Sequence, residues 1–236
     1  MPVGSRLWEI TLNVFRTLTW YSPYRRYLHY RYQYLFSPEE LAFLVRCVTD
    51  TRDIPGDIVE IGCAGGNTTC FLQRHMRCSG IQKPYCCIDT FSGFTPEDVD
   101  FEMRHRGNDI RRHFRACSVN SLKWFKHTLK LNGCENVICV QTDVKKHRFE
   151  RPISFCLIDV DLFLPTLYAL EHVWPVLSPG GIIVVDDCCS PTTPRYLWDG
   201  ADEAYNQFRE ARGIPPRYAP YKLAVLQKDR LGDPAS

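Results

Sequence analysis

The stretch FCLIDVDLFLPTLYALEHVWPVLSPGGIIVVDDC, residues 155–188, carries two pairs of carboxylates: Asp159 with Asp161, and Asp186 with Asp187. Each pair follows an apolar run. Carboxylates brought this close repel one another, and at least one must take a raised pKa unless a cation relieves the charge. An oxygen-only set suits a hard divalent ion. Mg²⁺ suits it best, because it accepts few protein carboxylates and leaves positions for water or substrate oxygens. The plainer account is that these acids cap the helix that starts near residue 164 and decorate a loop.

A second group could hold a ligand of another kind. In VEIGCAGGNTT, the glycines at 62, 65 and 66 let the backbone turn tightly and approach a ligand ahead of a helix N-terminus. The spacing is not that of the dinucleotide fingerprint G-x-G-x-x-G, so a nucleoside-type ligand fits better than one with a pyrophosphate. Asp89 ends the next apolar run, CCIDTF, where an acid can accept hydrogen bonds from both hydroxyls of a ribose. A helix cap or a surface acid is the ordinary alternative for Asp89.

The elements that must position these residues alternate along the chain. Strands are predicted at 57–62, 85–91, 137–143, 153–160, 181–187 and 222–228. Helices are predicted from Gly66 to Met76 and at 118–133, 164–177 and 199–213. A capping box, Ser37-Pro38-Glu39-Glu40, opens a further helix that should end near Asp50. Nearly continuous apolar strands separated by helices indicate an α/β fold, with a mostly parallel sheet covered on both faces. Such sheets bind ligands beyond the carboxyl ends of their strands, and Asp89, Asp143, Asp159, Asp186 and Asp187 all fall there.

Composition narrows the partners. With 236 residues, 44% apolar and 24% charged, the chain reads as one large globular domain behind a distinct N-terminal segment, residues 1–36 before 37–236. A net charge of +2 gives no electrostatic case for nucleic acid. The twelve cysteines include no C-x-x-C and read as buried thiols in a reducing cytoplasm. Residues 1–20 lack a secretory signal, and no apolar run reaches bilayer length. The aromatic and basic N-terminal segment, with Leu7, Ile10, Val14 and Leu18 in a helical stripe, has three readings: a helical cap, a lid over the substrate, or peripheral membrane contact. Homo-oligomerisation stays open.

From Pro55 to Lys228 the chain resembles the macrocin O-methyltransferase family. PGDIVEIGCAGGNTT, IDTFSGF, IDVDLFLPTLYALEHVWPVLSPGGIIVVDDC and DEAYNQFREARGI carry the likeness in the family's order and spacing. The D-x-D-L block through the paired acids is the specific part, and the glycine turn is general to methyltransferases. The resemblance implies a Rossmann-like methyltransferase fold with a seven-stranded sheet, using S-adenosylmethionine and Mg²⁺. It implies that Glu60, Ile61, Gly62, Cys63 and Ala64 line the cofactor together with Asp89, Thr90, Phe91, Ser92 and Gly93. Asp143 is then placed near the adenine, and Asp159, Asp186 and Asp187 become the metal ligands, with Asp161 a secondary candidate. The acceptor implied is a hydroxyl of a small molecule or glycan. Val160, Phe163, Pro165 and the cysteine after Asp187 depart from the family's usual residues, and the departures bear on the substrate.

The expected mechanism places a vicinal diol on the metal, with Asp159 or a histidine as proton acceptor. His105, and after it His113, lie in FTPEDVDFEMRHRGNDIRRHF, a charged stretch that reads as a lid. The arginines at 104, 106, 111 and 112 have two readings, steering of an anionic substrate and, ahead of it, a solvated charged face. Two alternatives stand beside a sugar O-methyltransferase: an enzyme for catechol-like diols, and a non-catalytic S-adenosylmethionine-binding protein.

Overall fold

The computed structural model describes residues 3–23, 34–108, 120–189 and 199–230. The chain divides into residues 1–35 and 36–236. The first unit contains helix α1, Val3–Trp20, on which Trp8, Val14, Phe15 and Leu18 are exposed. No helix among the described residues is long and apolar enough to cross a membrane.

The second unit opens with α2, Pro38–Asp50, and the capping box is formed as expected. Ser37 N–H donates to Glu40 Oε2 (2.7 Å), and Glu40 N–H donates to Ser37 Oγ (3.2 Å). The chain then alternates through β1 (Asp57–Ile61), α3 (Asn67–Cys78), β2 (Tyr85–Asp89), α4 (Pro96–His105) and α5 (Leu122–Leu131). It continues through β3 (Ile138–Gln141), a 3₁₀ turn (Val144–Lys146), β4 (Ile153–Ile158), α6 (Phe163–Val176), β5 (Leu177–Val185), α7 (Asp199–Glu210) and β6 (Ala224–Gln227).

The sheet runs β3-β2-β1-β4-β5-β6, parallel except for β6. Its central strands are buried along their whole lengths, which is why they read as continuous apolar runs rather than alternating ones. One helical layer shows the matching stripe on α7, where Ala201, Ala204, Tyr205 and Phe208 are buried at i, i+3, i+4 and i+7. Phe208 there meets Trp174 of α6 edge to face at 5.8 Å.

Six strands occur among the described residues where seven were expected. A single bridge, Tyr218 to Ala224, stands where another strand would pair beside β6. Pro215, Pro216 and Pro220 flank it, and a proline offers no N–H to a ladder. Element boundaries also differ, most strands being shorter than expected: β2 stops at Asp89, β4 at Ile158, and β6 covers only Ala224–Gln227. Strand β5 stops at Val185, leaving the paired acids in the bend beyond it, where Asp187 takes φ +56°. Helix α5 starts at Leu122, capped by Ser121 Oγ accepting from Trp124 N–H at 3.2 Å.

The register decides where chemistry can occur. Ile61 is level with Ile88 and with Ile158, and Ile158 is level with Val185. The residues that follow are Gly62, Asp89, Asp159 and Asp186, so one row crosses the carboxyl edge of four adjacent strands. Backbone bonds hold the row: Gly62 N–H to Ile88 O (2.9 Å), Asp159 N–H to Ile61 O (2.8 Å) and Asp186 N–H to Ile158 O (2.9 Å). The strand order reverses between β1 and β4, beneath the middle of the row, which is where open α/β sheets leave a crevice.

Candidate active site

At the β1 end, the glycine turn is held from below and from the side. Glu60 is buried, and its Oε2 accepts from Thr69 Oγ1 (2.8 Å) and Tyr85 OH (2.6 Å). Its carboxylate thus braces the turn from the core side, while the backbone from Ile61 to Ala64 forms the turn itself. Burial pushes the Glu60 carboxyl up to about 7, with Thr69 and Tyr85 opposing the rise and Asp89 adding to it.

A carboxyl that binds its proton more tightly when folded adds stability at low pH and loses it as pH rises through its folded value. Between the ordinary 4.5 and about 7, the Glu60 contribution should therefore fall by about 3 kcal/mol. Urea denaturation from pH 5 to pH 8 is expected to show that loss in the wild type relative to Glu60→Gln. Parallel pH profiles for the two proteins would refute it.

Asp89 is bound to the same turn. Its Oδ2 accepts from Cys63 N–H (2.7 Å) and Ala64 N–H (3.0 Å), and its Oδ1 from Phe91 N–H (2.6 Å). A carboxylate offers about four acceptor positions, so room remains for roughly one further hydroxyl, where the sequence suggested two. Ala64 (φ +42°) and Phe91 (φ +50°) are held in the left-handed region, local strain of the kind that gathers at ligand sites. Phe91 is buried against Phe125, ring centroids 4.9 Å apart. Thr90 Oγ1 donates to Gly93 O (2.6 Å) and accepts from Ser92 N–H (3.3 Å), which closes the β2 turn. Side-chain space separates the glycines. A Cβ on Gly65 would meet nothing within 4 Å, whereas one on Gly62 would lie 1.8 Å from the Asp159 carbonyl oxygen. These residues fit an adenosine-type ligand: an open backbone at Gly65 beside an acid with spare acceptor capacity.

Asp143 has a different local role. Its Oδ1 accepts from Lys145 N–H at the start of the 3₁₀ turn, and Lys145 Nζ lies 3.7 Å from Oδ2. Lys145 reaches on to Asp98 (2.5 Å) and Glu97 (2.8 Å) at the start of α4.

The four aspartates come together at the β4 and β5 ends. Asp186 and Asp187 are buried, and Asp159 and Asp161 half-buried. Burial, then the charges of Asp161 and Asp187, holds the Asp159 carboxyl well above the usual range. Asp161 and Asp186 are raised in the same way, by burial first and neighbouring acids second. The sequence reading missed the cation at their centre. Lys222 Nζ lies 2.7 Å from Asp186 Oδ2 and 2.7 Å from Asp187 Oδ1. Burial alone would lower the Lys222 pKa, but the two acids outweigh it and hold the ammonium above its ordinary value.

Around that lysine, no three aspartates bring an oxygen each within 4.8 Å of one another, so Asp159, Asp186 and Asp187 do not form the ready-made trio expected of metal ligands. The chemistry still fits a hard divalent ion. The donors are all oxygens, four carboxylates face one lysine, and Asp186 Oδ1 is buried without a hydrogen-bond partner. Among the described residues the compact group of potential ligands is instead Glu60, Cys63 and Cys87. Burial raises both thiols, Glu60 already accepts two hydrogen bonds, and the set reads as packing under the turn.

The described part of the charged stretch after β2, through Asn108, is pinned in place. Arg106, expected on a solvated face, has a side chain only 7% exposed, paired with Glu102 (2.9 Å), Asp199 (2.6 Å) and Glu203. Asn108 Nδ2 donates to Glu102 (3.0 Å) and Asp199 (2.9 Å). The other oxygen of Glu102 accepts from Phe163 N–H at 2.8 Å, serving the N-terminus of α6, which has no side-chain cap of its own. Glu102→Ala removes one of the three acids paired with Arg106 and uncaps α6, and should cost about 2 kcal/mol in urea denaturation. A loss below about 1 kcal/mol would show that water replaces the network.

His105 ends α4, exposed, with its ring stacked on Phe101 at 4.9 Å. Phe101 stacks in turn on Phe163 at 5.5 Å, two residues past Asp161. Arg104 is exposed and pairs with Asp100, in keeping with a solvated face. His113, Arg111 and Arg112 lie outside the described residues.

Comparison with known proteins bears on the whole row. The model of a family described as a methyltransferase domain matches residues 59–188, which take in the glycine turn, Asp89 and all four aspartates. Mycinamicin III 3''-O-methyltransferase of Micromonospora griseorubida is 26% identical, over 80% of this chain and 72% of the relative. The 8-demethyl-8-(2,3-dimethoxy-alpha-L-rhamnosyl)-tetracenomycin-C 4'-O-methyltransferase of Streptomyces olivaceus is 27% identical over 68% of this chain, which spans 60% of that relative. In fold, the solved structure of the O-methyltransferase NovP matches with a TM-score of 0.72 at 19% identity, covering 85% of this chain and 84% of that one.

Proposed function

The chain belongs to the methyltransferase-domain family and is an S-adenosylmethionine-dependent O-methyltransferase, and from that premise we propose that it methylates one hydroxyl of a vicinal diol on a sugar, with Mg²⁺ held by Asp159, Asp186 and Asp187. The row that sets Gly62 and Asp89 level with Asp159 and Asp186 carries the proposal, since it puts a nucleoside cradle and an oxygen-only acid cluster side by side. The sugar acceptor is supported by the relative named as a 4'-O-methyltransferase of a rhamnosyl-bearing tetracenomycin, beside the relative named as a 3''-O-methyltransferase of mycinamicin III. The finer likeness to macrocin O-methyltransferases rests on the D-x-D-L block through the paired acids.

The cofactor supplies an electrophilic methyl on a sulfonium, so the protein's task is alignment of an oxygen. A bound Mg²⁺ would supply charge that favours the ionised hydroxyl. Glu60 braces the turn, and Asp89 clamps its amides while keeping capacity for a ligand hydroxyl. Asp159, at the end of β4 in the row that faces the cofactor turn, is the proton acceptor in this reading. His105 is the second candidate, one aromatic stack away from the start of α6.

The test is methyl transfer from labelled S-adenosylmethionine to a panel of glycosides with free vicinal hydroxyls, beside catechols. Glycosides should be methylated, EDTA should stop turnover, and Mg²⁺ should restore it. Catechol preference would replace the sugar assignment, and EDTA-insensitive turnover would remove the metal from it.

A further inference from the structure

Lys222 enters the acid cluster from the segment just before β6, and its main chain is fastened to the bend that carries the acids. Cys188 N–H donates to the Lys222 carbonyl at 2.7 Å, one residue past Asp187. The Phe36 ring centroid lies 5.5 Å from Nζ. The stem is therefore anchored at its root, while the side chain remains 20% exposed and has a way out toward solvent. Its ammonium uses one oxygen of each paired acid and leaves Asp186 Oδ1 orphaned.

An ammonium and a divalent ion compete for the same oxygens here. The ammonium brings one charge to a site of four carboxylates, and it spreads Asp186 and Asp187 around a nitrogen at 2.7 Å from each. Mg²⁺ brings two charges and demands oxygens at about 2.1 Å. Both cannot sit between Asp186 Oδ2 and Asp187 Oδ1.

We infer that Lys222 is a resident counter-cation: it holds Asp186 and Asp187 together before metal binds, must give up their oxygens for a divalent ion to enter, and so sets the metal affinity of the site. The inference rests on the Mg²⁺ reading above. It gives a lysine outside the acid motif a defined task, and it accounts for the spacing of the paired acids around a nitrogen.

The experiment is calorimetric titration of Mg²⁺ into the full chain, with S-adenosylmethionine present, for wild type, Lys222→Gln and Lys222→Arg. Removing the competitor should tighten binding at least about tenfold in Lys222→Gln, whereas Lys222→Arg keeps the charge and should show no gain. Without metal, Lys222→Gln should melt below wild type, and Mg²⁺ should close the gap. Wild-type binding with equal or weaker binding in Lys222→Gln overturns the competition and leaves the Mg²⁺ reading standing. Absence of binding in every protein, wild type included, overturns both. A measurement on wild type alone covers the case in which the glutamine variant does not fold. Amine acylation read by mass spectrometry at fixed pH should label Lys222 more strongly once Mg²⁺ is added, and unchanged or lower labelling overturns the inference.

Discussion

Gly62→Ala is expected to abolish the cooperative fold, a loss above about 5 kcal/mol and so most of the stability of an ordinary domain. The added Cβ would lie 1.8 Å from the Asp159 carbonyl oxygen, 2.6 Å from its carbonyl carbon and 3.1 Å from Val160 Cγ1. Two of those three atoms are backbone, so no rotamer change relieves the clash. Glycine is also required by conformation, since residue 62 sits at φ +83°. The strands that would have to part are β1 and β4, the central pair of the sheet, and the Asp159 N–H to Ile61 O bond would break with them.

Gly65→Ala provides the control. A methyl added there would have nothing within 4 Å, so that variant should melt like wild type. Its loss should appear in calorimetry with S-adenosylmethionine, because the open space beside Gly65 is where the ligand backbone contact is proposed. Circular dichroism melts of the two variants separate a glycine needed by the fold from one needed by the ligand. Equal melting temperatures for both variants would refute the packing argument.

The second large effect is on turnover. Asp186→Asn/Asp187→Asn should bind S-adenosylmethionine as wild type does, fail to bind Mg²⁺, and lose methyl transfer by about a thousandfold, the scale of removing preorganised charge from an active site. The cofactor cradle is built from β1 and β2, whereas the two acids follow β5, so the two binding events separate by strand. Calorimetry with each ligand alone, followed by a rate measurement, checks all three statements. Retained Mg²⁺ affinity would move the metal to other ligands. Loss of cofactor binding would mean that the acids support the cradle after all.

Much of this arrangement was legible in the order of residues alone. Apolar runs ending in acids are a one-dimensional signal, and a parallel sheet turns them into a row because its strands end level. Ser37 and Glu40 announced α2 through spacing alone, since a capping box is local. Lys222 was not legible. It precedes a short apolar run near the end of the chain, where a lysine ordinarily reads as solvated. Only the antiparallel pairing of β6 with β5, Ala224 level with Val185, carries it to the acids. The network around Arg106 was hidden for the same reason. Its partners Asp199 and Glu203 lie more than ninety residues away, and periodicity carries no information about charge pairing across that distance. Low apolar content suggested a lid, while Glu102 and Arg106 are fastened to two other helices. Asp89 lay at the expected strand end, but its grip on the amides of Cys63, Ala64 and Phe91 depends on turn geometry that no spacing rule contains.

The late position of Lys222 also bears on how the protein is made. A ribosome delivers Asp159, Asp161, Asp186 and Asp187 before it delivers the ammonium that pairs with two of them. Until β6 emerges and pairs with β5, the acids at the carboxyl edge of the sheet lack the ammonium of Lys222. Closure of the acid edge is thereby expected to wait until the segment after α7 has been made, and a chain released before Lys222 would carry its cofactor-binding strands yet lack the cation that pairs with the buried acids.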